Sequence, residues 1–260
     1  MIGQLGRAAK TVRGRSGKSS ARAWPAMVKV DLHIHTADDP VDKIPYSGRQ
    51  LVDRAAALGF GALAITLHDR QFDRRRLSSY AADRGIALIP GIERTIEGRH
   101  VLLLNFSPRT ENVRSFDDLA RLRHAEPGLV IAPHPFFPAP SCLRGLLDRH
   151  ADLFDAVEWN AMFTRQVNFN RRAARWAAAR GKPVVGNGDV HRLYQLGTCC
   201  SYVDAPADAD AVCDAIRAGR VTVEARPLSP LTAGLTLADV LIGQHVPFVT
   251  ESSAPAPARS

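Results

Sequence analysis

Short apolar runs of strand length alternate with longer segments of helical pattern from residue 28 to residue 223, and this alternation constrains the fold more than any other feature of the chain. Strands are expected from Val28 to Ile34, Ala62 to His68, Ile86 to Ile89, His100 to Phe106, Gly128 to Ala132, Phe154 to Val157, Pro183 to Val185, Thr198 to Val203 and Arg220 to Val223. Helices are expected between them: one capped by Ser47 and closed by Gly59, then Asp73 to Arg84, Phe116 to Arg123, Cys142 to His150, Asn168 to Arg180 and Asp208 to Ala218. Gly98 marks a turn before the run from His100, and Leu235 to Ile242 has the pattern of a short helix. Repeated strand–helix units imply an α/β fold with a parallel sheet. So many units in one chain predict closure into a barrel.

The first strand runs into Asp31-Leu32-His33-Ile34-His35-Thr36. On an extended backbone Val28, Val30, Leu32 and Ile34 share one face, while Lys29, Asp31, His33 and His35 share the other. Two imidazoles on one face of a strand can grip one ion without bending the backbone. His68, Glu93, His134, Glu158, Asp189 and His191 also lie at or just past the C-terminal ends of expected strands. In a barrel of parallel strands those ends meet in one mouth, where active sites are built. Convergence of these segments, each offering imidazole or carboxylate, predicts a metal site.

The formal charge of +8 suggests a polyanion partner, but Arg7, Lys10, Arg13, Arg15, Lys18 and Arg22 precede Met27 in a stretch without Asp or Glu. Without those six the charge is +2, which argues against a continuous basic surface for long nucleic acid. Residues 1–26 read as a dispensable disordered leader, 27–226 as the folded domain, and 227–260 as an extension whose Ala-, Ser- and Pro-rich end is disordered. No stretch has the ~20 apolar residues of a membrane span. Cys142, Cys199, Cys200 and Cys213 lack C-x-x-C spacing and read as reduced core residues of a cytoplasmic protein. His124, His150 and His245 read as exposed, and Trp176 with Ala173 and Phe169 as a core-facing helix stripe.

The pieces DLHIHT (31–36), ITLHD (65–69), PGIE (90–93), APHP (132–135), EWN (158–160) and GDVH (188–191) occur in an order that resembles the polymerase and histidinol phosphatase (PHP) superfamily of metal-dependent phosphoesterases. The resemblance implies a distorted (β/α)7 barrel holding up to three divalent ions: manganese, iron or zinc. Carried over by position, it implies one ion on His33, His35, Glu93 and Asp189. A second would use Asp39, His68 and His191, and a third Glu93 as a bridge with His100 and His134. The loop after His35 is short, so Asp38 and Asp39 compete for one role; Asp39 is chosen because it directly precedes Pro40. Leu67 stands where the family usually has Asp.

The function that follows is hydrolysis of a small phosphomonoester, a nucleoside bisphosphate or a short oligonucleotide by a hydroxide generated on the ions. Asp189 and His191 would orient that hydroxide or pass a proton. Arg165, Arg192 and Arg94 sit just beyond ligand-bearing strands and are the candidates for holding phosphate. Asn160 is expected to fix a loop, Glu158 to support a ligand, and Trp159 to shape the rim. The alternatives are a nuclease on longer strands and a metal-binding domain without turnover.

Overall fold

The computed structural model describes residues 27–242; the leader, His245 and the Ala- and Pro-rich end lie outside the described residues. The strands are β1 (Val28–Ile34), β2 (Ala62–Ile65), β3 (Ala87–Ile89), β4 (Gly91–Ile96), β5 (Arg99–Leu104), β6 (Leu129–Ala132), β7 (Ala156–Asn160), β8 (Val184–Asn187), β9 (Cys199–Val203) and β10 (Val221–Ala225). The helices are α1 (Gly48–Ala57), α2 (Ser78–Ala82), α3 (Phe116–Ala125), α4 (Gly145–Arg149), α5 (Asn170–Ala178), α6 (Ala209–Arg217) and α7 (Pro230–Ile242).

The expected (β/α)7 barrel is not what forms. Ten strands make two five-stranded mixed sheets, ordered β10-β9-β1-β2-β3 and β4-β5-β6-β7-β8. The first reason lies at Glu97-Gly98, where φ is +48° and +74°. Two consecutive left-handed residues make the tight turn that suits a two-residue hairpin, so Ile96 pairs with Arg99 and β4 runs antiparallel to β5. The sequence expectation held a strand after Gly98 but none between Ile89 and that turn. A second departure is β9, which pairs antiparallel with both β1 and β10. The two sheets are stitched by isolated bridges, Ile34 with Val190 and His68 with Glu93, at the ends that carry the histidines.

The helices follow local chemistry. Ser47 and Gln50 form a reciprocal capping box on α1, as do Ser115 and Asp118 on α3. The region expected as one helix from Asp73 to Arg84 is broken into a 3-10 turn at Arg74–Arg76 and the short α2. The expected helix from Cys142 is shortened to α4, because Arg144 adopts a left-handed φ of +50° just before it. α7 starts earlier than the pattern at Leu235 suggested. Side chains facing between the sheets, among them Leu32, Leu102, Leu104, Ile131 and Val185, form one buried cluster. Two others lie under the outer helices. All four cysteines are buried and unpaired, and no helix among the described residues is long and apolar enough to cross a membrane.

β1 is the element that positions the site. Its register against β2 moves from Asp31–Leu63 to Ile34–Ile65, so three steps on β1 oppose two on β2. Such a bulge re-aims side chains and breaks the ladder, leaving buried backbone donors that need other partners. Side chains supply them: Asn187 Oδ1 accepts from Leu32 N at 3.1 Å, Asp31 Oδ1 from His33 N at 3.2 Å, and Thr66 Oγ1 from Ile34 N at 3.1 Å. Thr66→Val keeps the shape and removes the acceptor, which leaves a buried N–H unpaired. It is expected to cost about 1–3 kcal/mol, read by denaturant unfolding; an unchanged midpoint would show that the hydroxyl does not hold the bulge.

Candidate metal centre

The centre is organised around the carboxylate of Glu93, which is 1% exposed. Its Oε2 lies 3.1 Å from His68 Nε2, 3.3 Å from His33 Nε2 and 3.4 Å from His35 Nε2. Its Oε1 lies 2.7 Å from His100 Nδ1 and 3.2 Å from His134 Nε2. Five imidazoles from β1, the end of β2, β5 and the β6 exit therefore surround one anion. Asp189 Oδ1 approaches from another side, 3.4 Å from His33 Nε2 and 3.6 Å from His35 Nε2. His134 and Asp189 have φ of +31° and +48°. For non-glycine residues this backbone costs of order 1–3 kcal/mol and is typical of sites where position matters more than comfort.

The opposite nitrogens of these rings are fixed from behind. His33 Nδ1 lies 2.8 Å from Glu158 Oε1, and His35 Nδ1 lies 2.9 Å from Asp39 Oδ2. Glu158 is fully buried and also accepts from His134 N, Asn187 Nδ2 and Asn160 Nδ2. Asn160 Nδ2 further donates to Asp189 Oδ2 at 3.1 Å, so one amide ties two carboxylates together. His134 Nδ1 sits 3.4 Å from Cys142 Sγ.

With their Nδ1 atoms so engaged, the Nε2 atoms of His33 and His35 are buried and have no hydrogen-bond partner. They lie within ion-pair range of Glu93 and Asp189 without the alignment of a hydrogen bond. Two orphaned, pre-oriented imidazole nitrogens facing two carboxylates fit a divalent cation, the more so because each ring's other nitrogen bonds a carboxylate that fixes tautomer and raises basicity. Ligand atoms converge within 4.8 Å in four groups: His33, His35 and Asp189; His33, His134 and Glu158; His35, Asp39 and His68; and His68, Glu93 and His100.

Not every residue expected from sequence faces this space. Asp39 has no exposed side-chain surface. Its oxygens accept from the backbone of Val41, Asp42 and His68 and from the rings of His35 and His68, which saturates its lone pairs and puts it behind the rings. Asp38 is exposed and accepts from the Thr36 hydroxyl. The carboxylate that reaches the cavity from this loop is Asp42, 3.0 Å from His191 Nε2; it sits seven residues beyond His35 in a loop with no strand pattern, and sequence reasoning missed it. Arg94 is 2% exposed, with Nε on Val113 O and Nη1 on Asp69. Arg192 pairs with Asp239 of α7 at 2.6 Å, and Arg165 is exposed and does not line the cavity over the cluster.

Protons balance the buried carboxylates here. Burial alone would lower the pKa of His68, but its bond to Asp39 and the charges of Glu93 and Asp42 raise it to about 9. His33 and His134 are likewise raised despite burial, His33 by the charges of Asp189, Glu93 and Glu158 and His134 by its contacts with Cys142 and Glu93. Glu93, which burial would raise, is held well below the usual carboxylate range by His100 and His33. Burial lifts Asp31 to about 7, despite bonds from the Gly188 and His33 N–H groups and the charge of the His33 ring.

A raised histidine pKa stabilises the metal-free protein fully below about 6.5, and that contribution is lost as pH rises through about 9. A metal ion needs neutral imidazole, so binding expels protons and its apparent affinity should rise between those limits. Calorimetric titration of metal-free protein with Mn²⁺ or Zn²⁺ in buffers of different ionisation enthalpy should show net proton release and tighter binding at pH 8.5 than at 6.5. A pH-independent affinity without proton release would contradict this picture.

The family model described as PHP-associated matches residues 167–221. No curated protein matches the chain. Among solved structures, the fold resembles a two-domain protein of Bacteroides vulgatus described as containing a predicted PHP-like metal-dependent phosphoesterase, with TM-score 0.62 at 16% identity over 77% of this chain. The match spans 65% of that protein's length. PsfC of Pseudomonas syringae is similar with TM-score 0.60 at 15% identity, over 84% of this chain and 98% of that one. A candidate metal-dependent phosphoesterase of Bifidobacterium adolescentis gives 0.54 at 16%, over 78% and 98%. At such identities the likeness concerns the fold. The PHP-associated match over residues 167–221 and this likeness of fold agree with each other.

Proposed function

We propose that the protein is a metal-dependent hydrolase of phosphoester bonds, acting on a small phosphorylated substrate at the centre around Glu93. The observation that carries this reading is the pair of buried Nε2 atoms on His33 and His35, without hydrogen-bond partners and converging with Glu93 and Asp189 beneath an open cavity of about 550 Å³. A cavity of that size suits a small ligand. The described fold of PHP-like relatives and the cluster of imidazoles and carboxylates support the same reading.

His33, His35, His68, His100, His134, Glu93 and Asp189 would hold divalent ions, with manganese, iron and zinc all compatible with the donor set. Bound there, such ions supply Lewis acidity, which activates water near neutral pH and neutralises phosphoryl oxygens. Glu93 would bridge, since it alone reaches all five rings. Glu158 and Asp39 orient His33 and His35 and take no direct part. Asp189, steadied by Asn160 through Oδ2 and 3.5 Å from His191 Nδ1, would orient the attacking water. His191, whose pKa is raised against burial by Asp42 and Asp189, can hold a proton for the leaving alcohol.

The test is phosphate release from small phosphate esters by metal-loaded protein, with Glu93→Gln and Asp189→Asn alongside. Glu93→Gln should lose more than one ion per chain by elemental analysis, because a neutral amide cannot bridge cations; unchanged metal content would remove it from the bridging role. Asp189→Asn should lower kcat by roughly 10²–10⁴-fold without unfolding the protein. Absence of phosphate release from every ester, with metal bound, would refute the proposal.

A further inference from the structure

We infer that the substrate is a phosphomonoester with one phosphate and an uncharged, apolar, ring-sized alcohol portion. This inference rests on the phosphoesterase reading above and narrows it. The cavity over the centre has a polar floor made by the ligand residues. Its described lining contains no Lys or Arg, and the arginines closest in sequence to the ligands are engaged elsewhere: Arg94 is buried against Asp69 and Val113 O, and Arg192 is paired with Asp239. Beyond the ligands its titratable side chains are the carboxylates Asp42 and Asp69 and the imidazole of His191. A second phosphate, as in a nucleoside bisphosphate or an oligonucleotide, would meet carboxylates where it needs guanidinium.

The upper walls have the opposite character. Val41, Phe137, Met162, Tyr194, Leu228 and Leu237 contribute apolar surface from five separate segments. Leu237 is 50% exposed and Tyr194 49%, although Tyr194 is held by a 3.1 Å bond to Thr236 of α7. α7 is fastened to this rim by the Arg192–Asp239 pair, and Leu228 N, just before it, donates to Phe163 O. The rim is therefore a built wall, and its apolar side chains gain by covering an apolar group. Phe137, whose ring centroid is 6.4 Å from that of His134, sits where such a group would leave the reacting phosphate. In the reaction, water's oxygen forms one P–O bond, the P–O bond to the alcohol breaks, and the proton released from water ends on the alcohol. Inorganic phosphate and a neutral alcohol are the products.

The experiment compares kcat/KM of metal-loaded protein for 1-naphthyl phosphate, glycerol phosphate and adenosine 3′,5′-bisphosphate, in the native chain and in Leu237→Arg. Binding of non-hydrolysable 1-naphthylmethylphosphonate is measured by calorimetry. Naphthyl phosphate should exceed both other esters by about tenfold or more, and the phosphonate should bind. Leu237→Arg, a change at a half-exposed site, should weaken naphthyl phosphate and phosphonate and improve the bisphosphate. Equal turnover of all three, or preference for the bisphosphate, would overturn this inference while leaving the phosphoesterase reading intact. An unaltered preference in Leu237→Arg would remove α7 from the wall and overturn the inference as drawn. No phosphate release from any of the three would overturn both.

Discussion

A single carboxylate buried among five imidazoles is the constraint to which the rest of the molecule answers. An isolated buried anion would be too costly to keep charged, and Glu93 stays ionised because His33, His35, His68, His100 and His134 face it. Those rings come from both sheets, so the sheets must meet where they do. The bridges Ile34–Val190 and His68–Glu93 fall at that meeting point. Raised histidine pKa values in the metal-free chain have the same origin: protons supply the positive charge that the carboxylates demand.

Around that anion the supporting groups are arranged so that each can do one thing only. Glu158 takes His33 Nδ1, His134 N, Asn187 and Asn160, and has no lone pair to spare. Asp39 is saturated by backbone and ring N–H groups. Holding a ring by one nitrogen leaves the other aimed inward, and this preorganisation is what lets a site bind an ion without rearranging. The bulge in β1, satisfied by Asn187, Asp31 and Thr66, aims the first two rings.

Much of this was legible in the sequence, and the reasons for the rest are physical. Strand alternation located His33 and His35 because a period of two needs only local backbone. Their convergence with Glu93, His134 and Asp189 was expected from strand ends meeting in the mouth of a barrel, and the residues meet although the strands form two mixed sheets. The architecture was not legible as a barrel: a run of strands and helices fixes neither strand direction across Glu97-Gly98 nor which strand β9 joins. Arg94 illustrates the limit for side chains. It follows a ligand directly, yet Asp69 and Val113 O draw its guanidinium into the fold. Asp42 and the contact of Asp239 with Arg192 lie in a loop and in the late helix, where no periodicity announces a partner.

The most direct measurement is anomalous scattering from crystals of the protein grown with manganese or zinc. Peaks are predicted within about 2.0–2.3 Å of His33 Nε2, His35 Nε2 and the Glu93 carboxylate, with Glu158 and Asp39 remaining bonded to the far sides of those rings. Absence of a peak there, or ions bound only at surface carboxylates while His33 and His35 keep their Nε2 atoms unligated, would contradict a metal centre built around Glu93.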